Sequence, residues 1–227
     1  MRLLLIDTAL SLCTAAVFAD GTALAVRSEP MFKGHQERLA GFVRDAMAEA
    51  GIGFDALDRI GVTTGPGSFT GLRVGLAFAQ GFGAALECPV VGISTLDALA
   101  ASIATDRTMT KAVAALIDAR RGQVYARFWR CGLVEGPAEA LSLEAAASRI
   151  AALGPEVTLV GSGAPLLSEA APGAVVVDLP GPSPEALARL VAAADPRLAR
   201  PEPRYLRAPD ATPPTRLPGQ PRVQVRS

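Results

Sequence analysis

Histidine is almost absent from this sequence, and cysteine is scarce. The 227 residues include one histidine, His35, and three cysteines, Cys13, Cys88 and Cys131, which lie far apart along the chain. An odd number of widely spaced cysteines excludes a disulfide framework and a C-x-x-C zinc or redox site. We therefore expect all three cysteines to be small buried apolar residues.

Long apolar runs and an excess of charge of either sign are also missing. Half of the residues are apolar, yet no run approaches the roughly 18 residues that a membrane-spanning helix needs. The first run stops at Asp7 after four apolar residues, too few for the core of a signal peptide. We therefore expect a cytoplasmic protein without membrane contact. Because 22 basic residues balance 22 acidic ones, no overall field draws the chain to nucleic acid.

The charge is nevertheless uneven along the chain. Residues 196–227 contain seven arginines, two acidic residues and eight prolines. Proline is excluded from helix interiors and central strands, so this segment predicts an extended tail that follows the surface. Contact of its arginines with an RNA backbone is the alternative interpretation.

The pattern of strands and helices is repeated. Residues 2–7 predict a strand that ends at Asp7, followed by strands at 13–19 and 22–27 and an amphipathic helix that Gly51 terminates. A second strand ends at Asp118, 111 residues after Asp7, and residues 123–129 again follow as a strand. Such self-similarity indicates internal duplication.

A duplicated βββαβα unit predicts an α/β protein of the actin-like class, which includes sugar kinases and Hsp70. We expect a lobe at 1–105, a reduced second lobe at 106–200 and the tail at 201–227. By analogy of fold alone, the two strand–turn–strand units would face each other across a cleft that cradles nucleotide phosphates.

A glycine-rich loop, Gly65–Gly75, is the strongest local signal. Ser68 or Thr70 could cap the helix that follows, whose N-terminus favours an anion. No Lys-Ser or Lys-Thr follows as a P-loop requires, so structural loop closure is an equal alternative. The candidate nucleotide or anion residues are Asp7, Thr8, Gly65, Gly67, Ser68, Thr70 and Asp118.

The helices predicted at about 35–50 and 72–86 carry more apolar surface than one small lobe should cover. We therefore predict that they form a partner interface resembling half of a four-helix bundle. The predicted interface residues are Leu39, Phe42, Val43, Met47, Leu72, Leu76 and Ala79. The alternative is that later segments of the same chain cover these side chains.

Four segments together resemble the bacterial TsaB (YeaZ) family, in order from residue 2 to about 207. They are Ile6-Asp7-Thr8-Ala9, the loop Gly65–Gly75, Ile117–Tyr125 and Pro203-Arg204-Tyr205-Leu206-Arg207. The resemblance implies a role in making threonylcarbamoyladenosine beside the anticodon of tRNA. It implies pairing, through the two helices above, with a catalytic TsaD-like subunit that transfers the threonylcarbamoyl group. It also implies support from a TsaE-like ATPase, tRNA binding through the complex, and a homodimer when the chain is isolated.

The sequence departs from the catalytic relatives at their metal-binding His-x-x-x-His pair. His35 is present but Leu39 occupies the position four residues later, so we expect no metal. Arg120 and Arg121 would crowd a phosphate at the second turn, although Asp7 and Asp118 could carry Mg²⁺ through water. Ser68 has no histidine or lysine near it in sequence, and we expect no catalytic residue.

We therefore expect a non-catalytic scaffold subunit. The isolated chain should bind no cofactor, and ATP or ADP is expected only at the interface of the complex. The alternatives are an independent actin-fold ATPase or phosphotransferase and a tRNA-binding module.

Overall fold

The structure is a computed structural model, and it describes residues 1–31, 33–103 and 111–207. Two mixed sheets carry the fold. The first half contains β1 (Arg2–Asp7), β2 (Leu12–Ala19), β3 (Thr22–Pro30), α1 (His35–Ala50), β4 (Arg59–Thr63), α2 (Phe69–Leu86), β5 (Val90–Ile93) and α3 (Thr95–Ser102). Its sheet has the order β3-β2-β1-β4-β5. The first three strands are antiparallel neighbours, while β4 and β5 run parallel to β1.

The second half repeats this topology. It contains β6 (Ala112–Arg120), β7 (Gln123–Arg130), β8 (Leu133–Val134), β9 (Glu139–Ser142), α4 (Leu143–Leu153), β10 (Val157–Val160), β11 (Val175–Val177) and α5 (Pro184–Ala193). Its order, β11-β10-β6-β7-β8, is that of the first sheet read from the other edge, and β9 also pairs with β7. The third strand of the meander is therefore divided into β8 and β9. The duplication and the two-lobed actin-like α/β fold are confirmed.

The packing of α3 and α5 departs from the predicted lobe boundaries. Leu96 and Leu99 of α3 pack with β6 and β10 of the second sheet. Leu187 and Val191 of α5 pack with β1, β2 and β5 of the first sheet. The last helix of the range 106–200 therefore covers the outer face of the first sheet. The boundary at 105 falls outside the described residues.

Helix α2 begins three residues earlier than expected because of its N-cap. The Ser68 hydroxyl accepts a hydrogen bond from the Gly71 amide, which satisfies a donor of the first turn. Helix α1 ends at Ala50, where Gly51 adopts a left-handed conformation with φ of 66°. Both helices pack on the same face of the first sheet. Within the part of the chain that the structure describes, no helix is long and apolar enough to cross a bilayer.

The segment after α5 forms a strap, residues 199–207, that returns along the first lobe. The Gly92 amide donates to the Ala199 carbonyl at 2.8 Å, and the Arg204 amide donates to the Thr64 carbonyl at 2.8 Å. Gln80 of α2 donates to the Pro201 carbonyl at 2.7 Å. The predicted extended, surface-following conformation is therefore observed up to Arg207, and residues 208–227 lie outside the described residues.

Candidate functional site

A cleft of about 450 Å³ lies between the two lobes. Asp7 ends the central strand of the first sheet, and Asp118 lies near the end of the central strand of the second. The cleft is lined by Ala9, Leu10, Ser11, Gly67, Ser68, Ile117, Asp118, Ala119, Arg120, Tyr125 and Ser162. Of the seven predicted anion residues, three line this cleft: Gly67, Ser68 and Asp118.

Asp7 is buried behind the cleft and not on its surface. Its Oδ1 accepts hydrogen bonds from the Thr63 hydroxyl at 2.6 Å and the Ala9 amide at 3.1 Å. Its Oδ2 is buried without a hydrogen-bond partner. Burial raises the pKa of the Asp7 carboxyl, which favours the neutral form. Because Asp7 is only 2% exposed and does not line the cleft, this arrangement argues against the water-bridged magnesium site.

The glycine-rich loop packs directly on the turn after β1. The Ser68 amide donates to the Ala9 carbonyl at 2.7 Å, and the Thr8 hydroxyl donates to the Gly71 carbonyl at 2.7 Å. A Cβ atom at Gly67 or Gly71 would lie 2.2 or 2.1 Å from the carbonyl oxygen of Ala9 or Thr8. These glycines therefore permit close approach of two backbone segments, which favours structural loop closure.

The second turn is occupied by arginine. Arg120 and Arg121 have φ of 62° and 54°, in the left-handed region that favours glycine. Asp118 accepts a hydrogen bond from the Arg120 amide at 2.8 Å, and the Arg120 guanidinium pairs with it at 3.2 Å. Since the second turn carries the bulky side chains of Arg120 and Arg121, it does not fit nucleotide phosphates.

A groove of about 500 Å³ separates α1 from α2. It is lined by Gln36, Leu39, Phe69, Thr70, Arg73, Val74, Ala77 and Phe78. Thr70, one of the predicted anion residues, therefore lies here, while Thr8 and Gly65 are buried.

Of the seven predicted interface side chains, one, Leu39, lines this groove. Leu39, Phe42, Val43, Met47, Leu72, Leu76 and Ala79 are each at most 6% exposed. They point to the first sheet and to each other, so the alternative that the chain itself covers them is the better description. The exposed positions of α2 that follow Arg73 carry small or polar side chains, Ala77, Gln80, Gly81, Ala84 and Ala85.

His35 and Ser68 line one pocket of about 340 Å³, although they are distant in sequence. His35 Nε2 is buried without a hydrogen-bond partner, and burial lowers the pKa of its imidazole. The Ser68 hydroxyl is engaged as the helix cap. Because His35 Nε2 has no partner, no hydrogen bond joins it to Ser68, and a nucleophile activated by this base is not formed. Within residues 1–31, 33–103 and 111–207, no group of three or more potential metal ligands occurs.

Phe69, Arg73 and Tyr205 form a surface cluster that the sequence did not predict. The rings of Phe69 and Tyr205 lie 5.6 Å apart, and the Arg73 guanidinium lies 3.8 Å from the Phe69 ring centre. Arg73 also donates to the Tyr205 hydroxyl at 3.3 Å. The only sequence signal was the motif Pro203–Arg207, whose proximity to α2 became visible only through the strap.

Comparison with known proteins identifies the family. A family model described as TsaD, tRNA N6-adenosine threonylcarbamoyltransferase, matches residues 29–135. The Escherichia coli tRNA threonylcarbamoyladenosine biosynthesis protein TsaB is 38% identical over 125 residues, which cover 55% of this chain and 53% of that protein. An uncharacterised Mycobacterium tuberculosis protein is 38% identical over 92% of this chain and 93% of its own length. A Pseudomonas aeruginosa structure described as similar to peptidase YeaZ has a TM-score of 0.75 and 31% identity, and the match covers 91% of this chain and 99% of that one.

The chain belongs to the TsaB (YeaZ) family. The match to E. coli TsaB spans about half the length of that protein. The segment matched by the family model includes α1, the glycine-rich loop and α2. The structure brings together the four sequence segments that resemble the TsaB family. Two of them, the loop and the motif Pro203–Arg207, meet where Arg204 crosses Gly65.

Proposed function

We propose that this chain is a non-catalytic subunit of the machinery that makes threonylcarbamoyladenosine in tRNA. The names of its TsaB relatives support a part in threonylcarbamoyladenosine biosynthesis. In this proposal a TsaD-like subunit performs the transfer, a TsaE-like ATPase supports it, and tRNA is bound by the complex. The chain works in the cytoplasm, and any ATP or ADP lies at the interface of the complex.

The observation that carries the scaffold role is the surface of α2. From Val74 to Leu86 this helix has no charged side chain, although Ala77, Gly81 and Ala84 are exposed. These three positions follow each other at spacings of four and three, so they share one face of the helix. We name them the docking face; Ala77 also lines the groove beside α1. Small side chains permit close approach of another helix.

Its occupant, in this proposal, is a helical pair of the TsaD-like subunit, or of a second copy when the chain is isolated. The half-buried rings of Phe78 and Phe82 lie 5.4 Å apart beside this face and supply apolar area. The side chains that stabilise pairing are therefore not those of the core. The non-catalytic part of the proposal is supported by His35 Nε2, which has no hydrogen-bond partner and therefore does not activate the Ser68 hydroxyl.

The test is Ala77→Arg in the full chain, because Ala77 is exposed and the fold should tolerate the change. We expect affinity for the TsaD-like subunit, and self-association, to fall at least about 30-fold, the effect of losing a hot spot worth ~2 kcal/mol. Ala145→Arg, at an exposed alanine of α4, is the matched control. For both variants, sedimentation measures self-association and co-purification measures binding to the TsaD-like subunit. Unchanged pairing by Ala77→Arg contradicts the docking face, and ATP hydrolysis or transfer by the isolated chain contradicts the non-catalytic role.

A further inference from the structure

Arginine side chains and exposed aromatic rings lie together where the strap passes the start of α2. Phe69 is 52% exposed and Tyr205 is 46% exposed, with Arg73 stacked on the first ring and hydrogen-bonded to the second. Farther along, the Arg207 guanidinium lies 5.9 Å from the ring centre of Tyr125 and donates to Gln123. We call Phe69, Arg73, Arg204, Tyr205 and Arg207 the strap ridge.

The ridge is positively charged without nearby compensation. In the described part of the chain, Arg73, Arg204 and Arg207 form no ion pair with a carboxylate. Glu202, the acid nearest to Arg204 in sequence, lies 3.9 Å from Arg200, and Asp118 pairs with Arg120. Three guanidinium groups without an ion pair, one on α2 and two on the strap, produce a local positive potential, although the whole chain has no net charge.

The strap packs closely against two glycines of the first lobe. A Cβ atom at Gly92 would lie 2.4 Å from the Arg200 carbonyl oxygen, and one at Gly65 would lie 3.0 Å from that of Arg204. Glycine at these positions lets the strap backbone lie directly on β5 and on the glycine-rich loop. The exposed rings are therefore presented by an ordered segment, which lowers the entropic cost of binding.

We propose that the strap ridge binds single-stranded RNA, with an unpaired base stacked on Phe69 or Tyr205 and phosphates near Arg204 and Arg207. Base–aromatic stacking next to a basic backbone track is how single strands are bound. A protein partner would fit the rings as well, but three guanidinium groups without carboxylates favour a polyanion. The inference rests on the proposed function only in the choice of tRNA as the RNA.

Fluorescence anisotropy with a labelled, unmodified anticodon stem-loop tests the proposal on the full chain. Phe69→Leu and Tyr205→Leu keep apolar bulk but remove the aromatic faces. Each should weaken binding roughly 5- to 150-fold, corresponding to about 1–3 kcal/mol per stacked base. Arg204→Gln should reduce the slope of log affinity against log salt by about 0.7.

Matched controls are Leu133→Ala, which removes an exposed side chain of the second lobe, and Arg149→Gln on α4. Neither should change RNA affinity or the salt slope beyond error, and thermal melts confirm that every variant folds. If the leucine variants bind the stem-loop as the wild type does, the ridge is not an RNA site. If they lose the TsaD-like subunit instead, the ridge is a protein contact, which also overturns the proposal.

The docking face and the ridge can fail separately. Ala77→Arg should abolish pairing and leave RNA binding at least as strong as before, because it adds a positive charge. Loss of RNA binding in that variant would mean that RNA binds only the paired form, and the ridge alone would not suffice. Normal RNA binding together with normal pairing in Ala77→Arg would contradict the docking face and leave the ridge supported.

Discussion

Gly71→Ala should destabilise the protein, although alanine favours helices. In an exposed helix interior the change from glycine to alanine stabilises by about 0.8–1 kcal/mol. At Gly71, in the first turn of α2, the new Cβ atom would lie 2.1 Å from the Thr8 carbonyl oxygen. Normal contact distances are about 3.5 Å, so one backbone segment must move by more than ~1 Å.

That movement also stretches the buried hydrogen bond from the Thr8 hydroxyl to the Gly71 carbonyl, now 2.7 Å. Overpacking typically costs about 1–3 kcal/mol, and loss of such a bond costs about 0.5–1.5 kcal/mol. After subtraction of the helix-forming gain, we expect a net loss of about 1–3 kcal/mol in the free energy of unfolding.

Gly81→Ala in the same helix is the matched control, because a Cβ atom there meets nothing within 4 Å. It should stabilise by about 0.5–1 kcal/mol. Urea unfolding followed by circular dichroism measures both variants, at two protein concentrations so that self-association is recognised. If Gly71→Ala were as stable as Gly81→Ala, the loop would not be packed on the Thr8 turn, and the structural role of its glycines would be refuted.

Two further predictions concern α1. Val43 is only 2% exposed, so Val43→Glu buries an unpaired charge and should unfold the first lobe or lower the free energy of unfolding by at least ~3 kcal/mol. Ala48→Glu on the exposed face should lower it by less than ~0.5 kcal/mol, and thermal melts compare the two variants. A Val43→Glu chain that dissociates but stays folded would restore the interface assignment. Burial lowers the pKa of the His35 imidazole, so this group should titrate below 6.5 in the folded protein. Because the unfolded chain then binds the proton more readily, the free energy of unfolding should fall as the pH drops below 6.5. NMR of the single imidazole measures the titration, and a midpoint at or above 6.5 would contradict the prediction.

The repeated strands were predictable because they end in the same local pattern. Asp7 and Asp118 each end or nearly end a buried strand, and a tight hairpin or turn fixes the strand that follows. Helix α1 was likewise bounded by apolar periodicity and by Gly51. The short strands β8, β9 and β11 were not found, because two to four residues carry no period and depend on the neighbouring strand.

The direction of the apolar stripes could not be predicted. The sequence pattern is the same whether the apolar stripe of α1 faces a sheet or a partner protein. This stripe consists of Leu39, Phe42, Val43 and Met47. The choice depends on how much of the sheet remains to be covered, and that depends on contacts between distant segments. For the same reason the sequence did not reveal that the strap brings Tyr205 to Phe69, 136 positions earlier.

The return of α5 to the first sheet has a consequence for synthesis on the ribosome. Leu3, Leu5 and Phe18 of the outer face are covered by Leu187 and Val191, which are made almost 100 residues after β5 is complete. At a synthesis rate of about 5–20 residues per second, this sheet face stays uncovered for roughly 5–20 s. A nascent chain in this interval exposes an apolar sheet face and is a natural client for a chaperone. Truncation before Pro184 should therefore yield an aggregating chain and not a smaller folded one.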